Sequence, residues 1–280
     1  MNKKKTELSL GVVITGGSVG LGYALASAFL SAGDRVVICG RNLQRLETAL
    51  QSLHQAVPQG EVYGIGCDVG DPDQCRALAA FAAHQLGNVD RWINNAGTAG
   101  QLKRPLWELD ADDILETCTT NLSGSIMMSA EAVRLMATQP PSSKAIYHIF
   151  NMGFSSIGAA FSRSAVHHKA SKRGVAELTH FLSGELKSAG LSSIGVHELS
   201  PGLVLTHLLL QDASPDAKKF FSVVAESPEK VASTLLPKIR LITGSNRLVR
   251  YQPLVMTFFR VVLSLKLPFI FDWSFHKLQN

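Results

Sequence analysis

Paired cysteine is the first thing missing. The four cysteines, Cys39, Cys67, Cys75 and Cys118, are scattered and form no Cys-x-x-Cys pair, which argues against a zinc site or a secreted disulfide framework and for reduced thiols. No metal is expected. Charge is also scarce: charged residues make up 18% of the chain, the formal net charge is +5, and no basic run extends beyond Lys3, Lys4 and Lys5. A nucleic-acid face needs a concentrated basic stripe with interleaved aromatics, so nucleic acid is not an expected partner. The positive balance suits an anionic cofactor or an anionic membrane surface. No apolar run reaches the ~20 residues that span a bilayer, because Arg260, Lys266 and Pro268 interrupt the apolar stretch from Pro253 to Phe271. The opening Met-Asn-Lys-Lys-Lys leads into fold-like sequence without a secretory core or an Arg/Ser-rich transit segment. A cytoplasmic location is the expectation.

What the chain does have is an alternation of short apolar runs and helical patterns. At 280 residues and 46% hydrophobic content it can bury one sizeable core. We read residues 1–252 as one domain, with an apolar substrate lobe at about 203–230, and 253–280 as an apolar tail. Gly11 to Thr15 has the pattern of a buried parallel strand. It runs into TGGSVGLG, Thr15 to Gly22, and then into a helical pattern that stops at Gly33. Strand, glycine turn and helix place backbone N–H groups and the positive helix end together, which makes a pyrophosphate site. A plain tight turn is the alternative.

Arg35 to Cys39 forms a second strand ending in Gly40-Arg41-Asn42, with no Asp or Glu. A cofactor without a 2′-phosphate calls for a carboxylate near this point, and a phosphorylated one for a cation. NADPH through Arg41 is therefore expected over NADH, the alternative being a solvated loop arginine. Glu61 to Cys67, Val89 to Ile93, Lys144 to Phe150 and Ile194 to Leu199 complete six strands, and a long helical pattern runs from Asp110 towards Thr138. Six alternating units with the nucleotide motif first predict a Rossmann-like, doubly wound parallel α/β sheet with its ligand at the strands' carboxyl ends.

The stretch from Asn151 to Lys172 carries the chemistry. His168 and Lys172 are one helical turn apart and share a face, and Ser155 lies thirteen residues before His168 on the loop leaving an apolar strand. This spacing resembles the Ser, Tyr-x-x-x-Lys signature of the short-chain dehydrogenase/reductase family, with His168 where the family has its proton-donating tyrosine. Gly16, Gly20 and Gly22, the turn Asn94-Asn95-Ala96-Gly97, Asn121 and the segment Pro201-Gly202-Leu203-Val204-Leu205-Thr206 are similar to further motifs of that family.

The resemblance implies a catalytic set of Ser155, His168, Lys172 and Asn121, with Ser156 as the alternative serine and Asn121 holding a water that links the lysine to solvent. It implies that Thr15, Gly16, Ser18, Gly20 and Gly22 form the glycine loop and that Asp68 and Val69 flank the adenine. Asn94, Ala96 and Gly97 would then approach the cofactor, and Lys172 would hold its ribose. Pro201, Gly202, Val204 and Thr206 would lie beside the nicotinamide carboxamide, with the Thr206 hydroxyl offered to the amide or to a phosphate.

HIFNM at His148 to Met152, ELSPGLVLTHLLL at Glu198 to Leu210 and the segment from Lys218 to Arg240 resemble chlorophyll b reductases. That likeness implies reduction, with NADPH, of the 7-formyl group of chlorophyll b or chlorophyllide b, hence an apolar tetrapyrrole as small-molecule partner. Two departures stand out: His168 replaces Tyr, and Phe150-Asn151-Met152-Gly153-Phe154 stands where the family has Phe-Asn-Met-Asp-Gly. Beside Lys172 an imidazolium is disfavoured by like charge, yet that is the form able to donate a proton near neutrality. The other readings are a cofactor-binding homologue without turnover and a generic reductase of lipid or small ketones. A homo-oligomer is the default. The tail fits either an interfacial segment, peripheral on a photosynthetic membrane, or a packed helix.

Overall fold

The computed structural model describes residues 9–101, 104–153, 164–210, 221 and 225–251. Its centre is a seven-stranded sheet, parallel throughout, in the order β3-β2-β1-β4-β5-β6-β7. The strands are β1 (Gly11–Thr15), β2 (Arg35–Gly40), β3 (Val62–Gly66), β4 (Arg91–Asn94), β5 (Tyr147–Met152), β6 (Ile194–Ser200) and β7 (Arg247–Arg250). In β1, GVVIT, every residue is buried, the continuous apolar pattern of a strand covered on both faces. Val12 stands opposite Val36 on one side and Arg91 on the other. The chain order reverses between β1 and β4, which opens a crevice at the carboxyl ends of these two strands.

Helices α1 (Gly20–Ser31), α2 (Leu43–Ala56) and α8 (Pro228–Arg240) pack on one face. The other face carries α3 (Pro72–Leu86), α5 (Gly124–Ala137) and α6 (Val166–Ser188) around the fully buried Trp92. Local chemistry sets the helix starts: the side chains of Asn42, Asp71 and Ser227 accept backbone N–H groups ahead of α2, α3 and α8. Arg91, buried beneath the sheet, donates to the carbonyls of Ile239, Arg240, Ile146 and Asp90 at 2.9, 2.7, 2.9 and 2.8 Å. It thereby joins the end of α8 to the strands, and burial lowers its pKa to about 10.

Three features differ from the sequence reading. A seventh strand, RLVR, extends the sheet beyond β6; it is four residues long with only Val249 buried, too short and too charged to stand out by periodicity. The long helix expected from Asp110 is α4 (Ala111–Cys118), a π turn (Thr119–Ser123) and then α5. The fifth strand starts at Tyr147 and continues through Met152.

After β6 and the short α7 (His207–Leu210), the segment expected to form the substrate lobe has a two-rung stem. Leu205 N donates to the Glu226 carbonyl at 2.8 Å and Glu226 N to the Leu203 carbonyl at 3.0 Å. Residues 211–220, 222–224 and 252–280, on which the readings of lobe and tail depend, lie outside the described residues. Among the described residues no helix is long and apolar enough to cross a membrane.

Candidate active site

The glycine turn is built to bring backbone close to a ligand. Gly16 and Gly20 have φ of +64° and +59°, left-handed values that favour glycine. A Cβ on Gly22 would lie 2.2 Å from the Gly16 carbonyl oxygen, so only glycine lets α1 close on the turn. Thr15 ties the turn to the loop after β4: its hydroxyl accepts the N–H groups of Asn95 and Ala96, both at 3.0 Å. Asn95 Nδ2 returns bonds to the carbonyls of Thr15 and Gly16 at 2.9 and 3.1 Å. Val19 precedes α1 without a side-chain cap, and no acidic residue occupies the first turn. The N-terminal amides and positive dipole end of a 12-residue helix thus point to where a pyrophosphate belongs. The methyl of Thr206 packs over Gly20, 3.2 Å from the position of an added Cβ, so Thr206 lies beside the glycine turn.

At the end of β2, Gly40 leaves room beside Ser18, whose Oγ would be 3.0 Å from a Cβ there. Arg41 follows, and its guanidinium contacts Glu116 at 3.1 Å and Asp68 at 3.8 Å. Glu116 had no signal in the sequence, because only folding brings α4 to this loop. Asp68 also accepts the Gly70 N–H at 2.8 Å, and Val69 packs against Gly124. These glycine and helix-end features fit a nicotinamide dinucleotide. Arg41 and Ser18 fit a 2′-phosphate.

The reactive face lies on α6. His168 and Lys172 are both buried there, facing Asn121 on the π turn and the Gly97–Thr98 loop. A Cβ on Gly97 would stand 3.1 Å from Lys172 Nζ and 3.0 Å from Asn121 Oδ1, so the missing side chain makes the space in which these groups meet. Burial lowers the Lys172 pKa to about 8. His168 Nδ1 is 2.8 Å from the Thr98 carbonyl and 3.5 Å from Asn121 Nδ2. Asn121 Oδ1 accepts the Thr98 N–H at 2.9 Å, and its Nδ2 donates to the Thr98 carbonyl at 2.9 Å and to Ser171 Oγ at 3.1 Å. A π turn inside an α-helix commonly marks a functional site, and here it delivers Asn121.

The Asn94 side chain enters a buried network, donating to Asn151 Oδ1 at 2.8 Å and Ser129 Oγ at 3.1 Å and accepting from Trp92 Nε1 at 2.9 Å. Asn151 continues it to Thr179 on α6 at 3.1 Å. Ala96 and Gly97 remain at the crevice. Gly202, with φ +75°, turns the chain after Pro201 against Tyr251, and Val204 is buried beside the lobe stem. Ser155 and Ser156 lie outside the described residues. His167 is buried, and among the described residues neither ring nitrogen has a hydrogen-bond partner; its Nε2 lies against Gly100.

A family model described as short chain dehydrogenase matches residues 11–216. The chain belongs to that family. It is 42% identical over 236 residues to chlorophyll(ide) b reductase NOL of Arabidopsis thaliana, a chloroplastic protein, covering 84% of this chain and 66% of the relative. The rice (Oryza sativa subsp. japonica) NOL protein is 39% identical, with 91% and 72% covered. The probable chlorophyll(ide) b reductase NYC1 of Arabidopsis is 36% identical, with 86% and 50% covered. The chain thus spans about two thirds of the NOL relatives and half of NYC1. A variant of actinorhodin polyketide ketoreductase with NADPH superposes with a TM-score of 0.69 at 25% identity, over 86% of this chain and 96% of that one. A Mycobacterium marinum short-chain type dehydrogenase/reductase gives 0.71 at 23% identity, with 88% and 96% covered, which speaks to the fold. This short-chain dehydrogenase is an oxidoreductase of a group resembling chlorophyll(ide) b reductases.

Proposed function

We propose that this short-chain dehydrogenase reduces the 7-formyl group of chlorophyll b or chlorophyllide b to hydroxymethyl, using NADPH. The observation that carries the reading is the buried pairing of His168 and Lys172 on one face of α6, opposite Asn121 and beside the open crevice at Gly97. Relatives named chlorophyll(ide) b reductase match over 84% and 91% of the chain, and the NADPH of a ketoreductase of the same fold supports the cofactor class.

The glycine turn and the uncapped start of α1 would hold the pyrophosphate, Arg41 with Ser18 the 2′-phosphate, and Lys172 the ribose next to the nicotinamide. Bound there, the nicotinamide supplies hydride. The protein's part is to hold the formyl oxygen, with Ser155 as hydrogen-bond donor, and to protonate the developing alkoxide from His168. Burial lowers the Lys172 pKa to about 8, so the lysine is still largely an ammonium at neutral pH and its charge disfavours the imidazolium. The bonds between Leu203–Leu205 and Glu226 bring together the two ends of the segment to which this reading assigns the cover of an apolar pigment.

The test is turnover of chlorophyll b and chlorophyllide b with NADPH and with NADH, read by loss of the formyl-bearing pigment's absorption. Wild type should be active and His168→Phe slower by ~10²-fold or more. Normal NADPH binding with no turnover in wild type, and activity gained in His168→Tyr, would instead identify a cofactor-binding homologue. Turnover of simple ketones but not pigments would point to a generic carbonyl reductase.

A further inference from the structure

We propose that the Thr98 carbonyl, held by Asn121, is the positioning group for His168: it fixes a proton on Nδ1 and so makes Nε2 the atom that protonates the substrate oxygen. This rests on the reductase reading above. A backbone carbonyl can only accept, so at 2.8 Å the Nδ1 of His168 must carry the hydrogen. The opposite tautomer would set an imidazole lone pair against a carbonyl lone pair inside a buried site, where each needs a donor. Asn121 brackets Thr98, accepting from its N–H and donating to its C=O, both at 2.9 Å. The carbonyl therefore receives two donors, the number its lone pairs accommodate. Ser171 closes the ring, accepting from Asn121 Nδ2 at 3.1 Å and donating to the His168 carbonyl at 2.9 Å. Asn121, His168 and Ser171 are buried and Thr98 is half-buried, and they sit on the π turn, on α6 and on the loop after β4, so the imidazole has little freedom to turn.

The arrangement answers the difficulty posed by Lys172. A hydrogen bond from Nδ1–H to a carbonyl is stronger when the ring is charged, so it favours the imidazolium against the repulsion of the neighbouring ammonium. Among the described residues, the other titratable groups packed on this loop are His167 on α6 and Asp113 on α4, which meet at Gly100, Asp113 accepting the Gln101 N–H at 2.8 Å. With a bound nicotinamide supplying hydride to the carbonyl carbon, the C=O π pair would move to oxygen. The Nε2–H bond then breaks and its proton goes to that oxygen. What remains is the neutral Nδ1–H ring, already the tautomer that Thr98 selects, so the site resets by taking one solvent proton at Nε2 without tautomerising.

Two measurements test this. In the full-length protein labelled with ¹⁵N-histidine, with and without NADPH, the signal absent from His168→Phe should report a protonated Nδ1 and an unprotonated Nε2 once the ring is neutral. An Nε2–H tautomer, or averaging between the two, overturns the proposal. Asn121→Asp keeps the acceptor for Thr98 N–H but brings a negative charge to the Nδ1 side. The alkaline fall of turnover should then move up by about one pH unit, with NADPH affinity retained as a check on folding. A lower kcat with the pH limb unmoved means that Asn121 is merely structural and overturns the positioning role. Absence of wild-type turnover with intact NADPH binding defeats the reductase reading and the proton transfer with it, whereas the wrong tautomer in an active enzyme defeats the positioning role alone.

Discussion

Acid should unfold this protein through two histidines far from the reactive face. His148 on β5 and His197 on β6 are fully buried neighbours, with His148 Nδ1 2.9 Å from His197 Nε2. Arg247 N–H donates to His197 Nδ1 at 3.4 Å, so the His197 proton is on Nε2 and is given to His148. The chain of bonds is complete only when both rings are neutral. Burial, with Arg91 close by, lowers His148 to about 3 and His197 to about 4 from an ordinary 6.5. Between about pH 4 and 6.5 the unfolded chain therefore binds protons that the native pair refuses, and stability falls as pH drops through that window. At pH 5 each ring costs ~2 kcal/mol relative to pH 8, or ~4 kcal/mol for the pair, a large share of a typical domain's stability. His197→Gln retains a donor towards His148 while removing one titration. Urea unfolding at pH 8, 6 and 5 should give a wild-type loss near the full amount and a loss about 2 kcal/mol smaller in the variant. Equal pH dependence in the two proteins would refute the reasoning.

Lys172 is a buried cation whose folded pKa is below its ordinary value, so its cost to stability is fully present below about pH 8 and fades as pH rises towards 10.5. Lys172→Met should abolish turnover yet raise unfolding free energy at pH 7 by up to ~3 kcal/mol; a destabilised variant contradicts this. Arg41→Ala should weaken NADPH at least about tenfold and leave NADH nearly unchanged, while Glu116→Gln, which releases Arg41 from its 3.1 Å partner, should tighten NADPH. Equal affinity of wild type for both cofactors would sink the assignment. If the apolar tail at 253–280 attaches the protein to a membrane without spanning it, carbonate should release the protein from sedimented membranes; retention after carbonate, or solubility at every ionic strength, is the contrary outcome.

The parallel sheet and its glycine turn were legible because both-face burial writes continuous apolar runs and because a left-handed turn demands glycine at Gly16 and Gly20. Helical spacing put His168 and Lys172 on one face, and their roles came from the resemblance to the family's Tyr-x-x-x-Lys signature. Thr98 was not: it acts through its backbone, which every residue type supplies equally. Glu116 escaped notice because its meeting with Arg41 spans 75 residues of sequence and depends on how α4 docks. Asn94 illustrates the converse, a motif residue whose side chain serves the packing between β4, β5 and α6. The seventh strand was hidden by its position at the sheet edge, where flanking arginines replace the apolar pattern.

Arg91 sets an order in which the chain can be completed on the ribosome. Its guanidinium is satisfied by carbonyls at Ile239 and Arg240, nearly 150 residues later in the chain, and α1 shares its core with α8 through Val231, Leu235 and Ile239. Until residue 240 has been synthesised, the cofactor half holds a buried cation short of acceptors and an α1 face open to water. Nascent chains arrested before α8 should remain protease-sensitive throughout, including the first βαβ unit, and should become resistant in a single step once α8 has emerged from the exit tunnel.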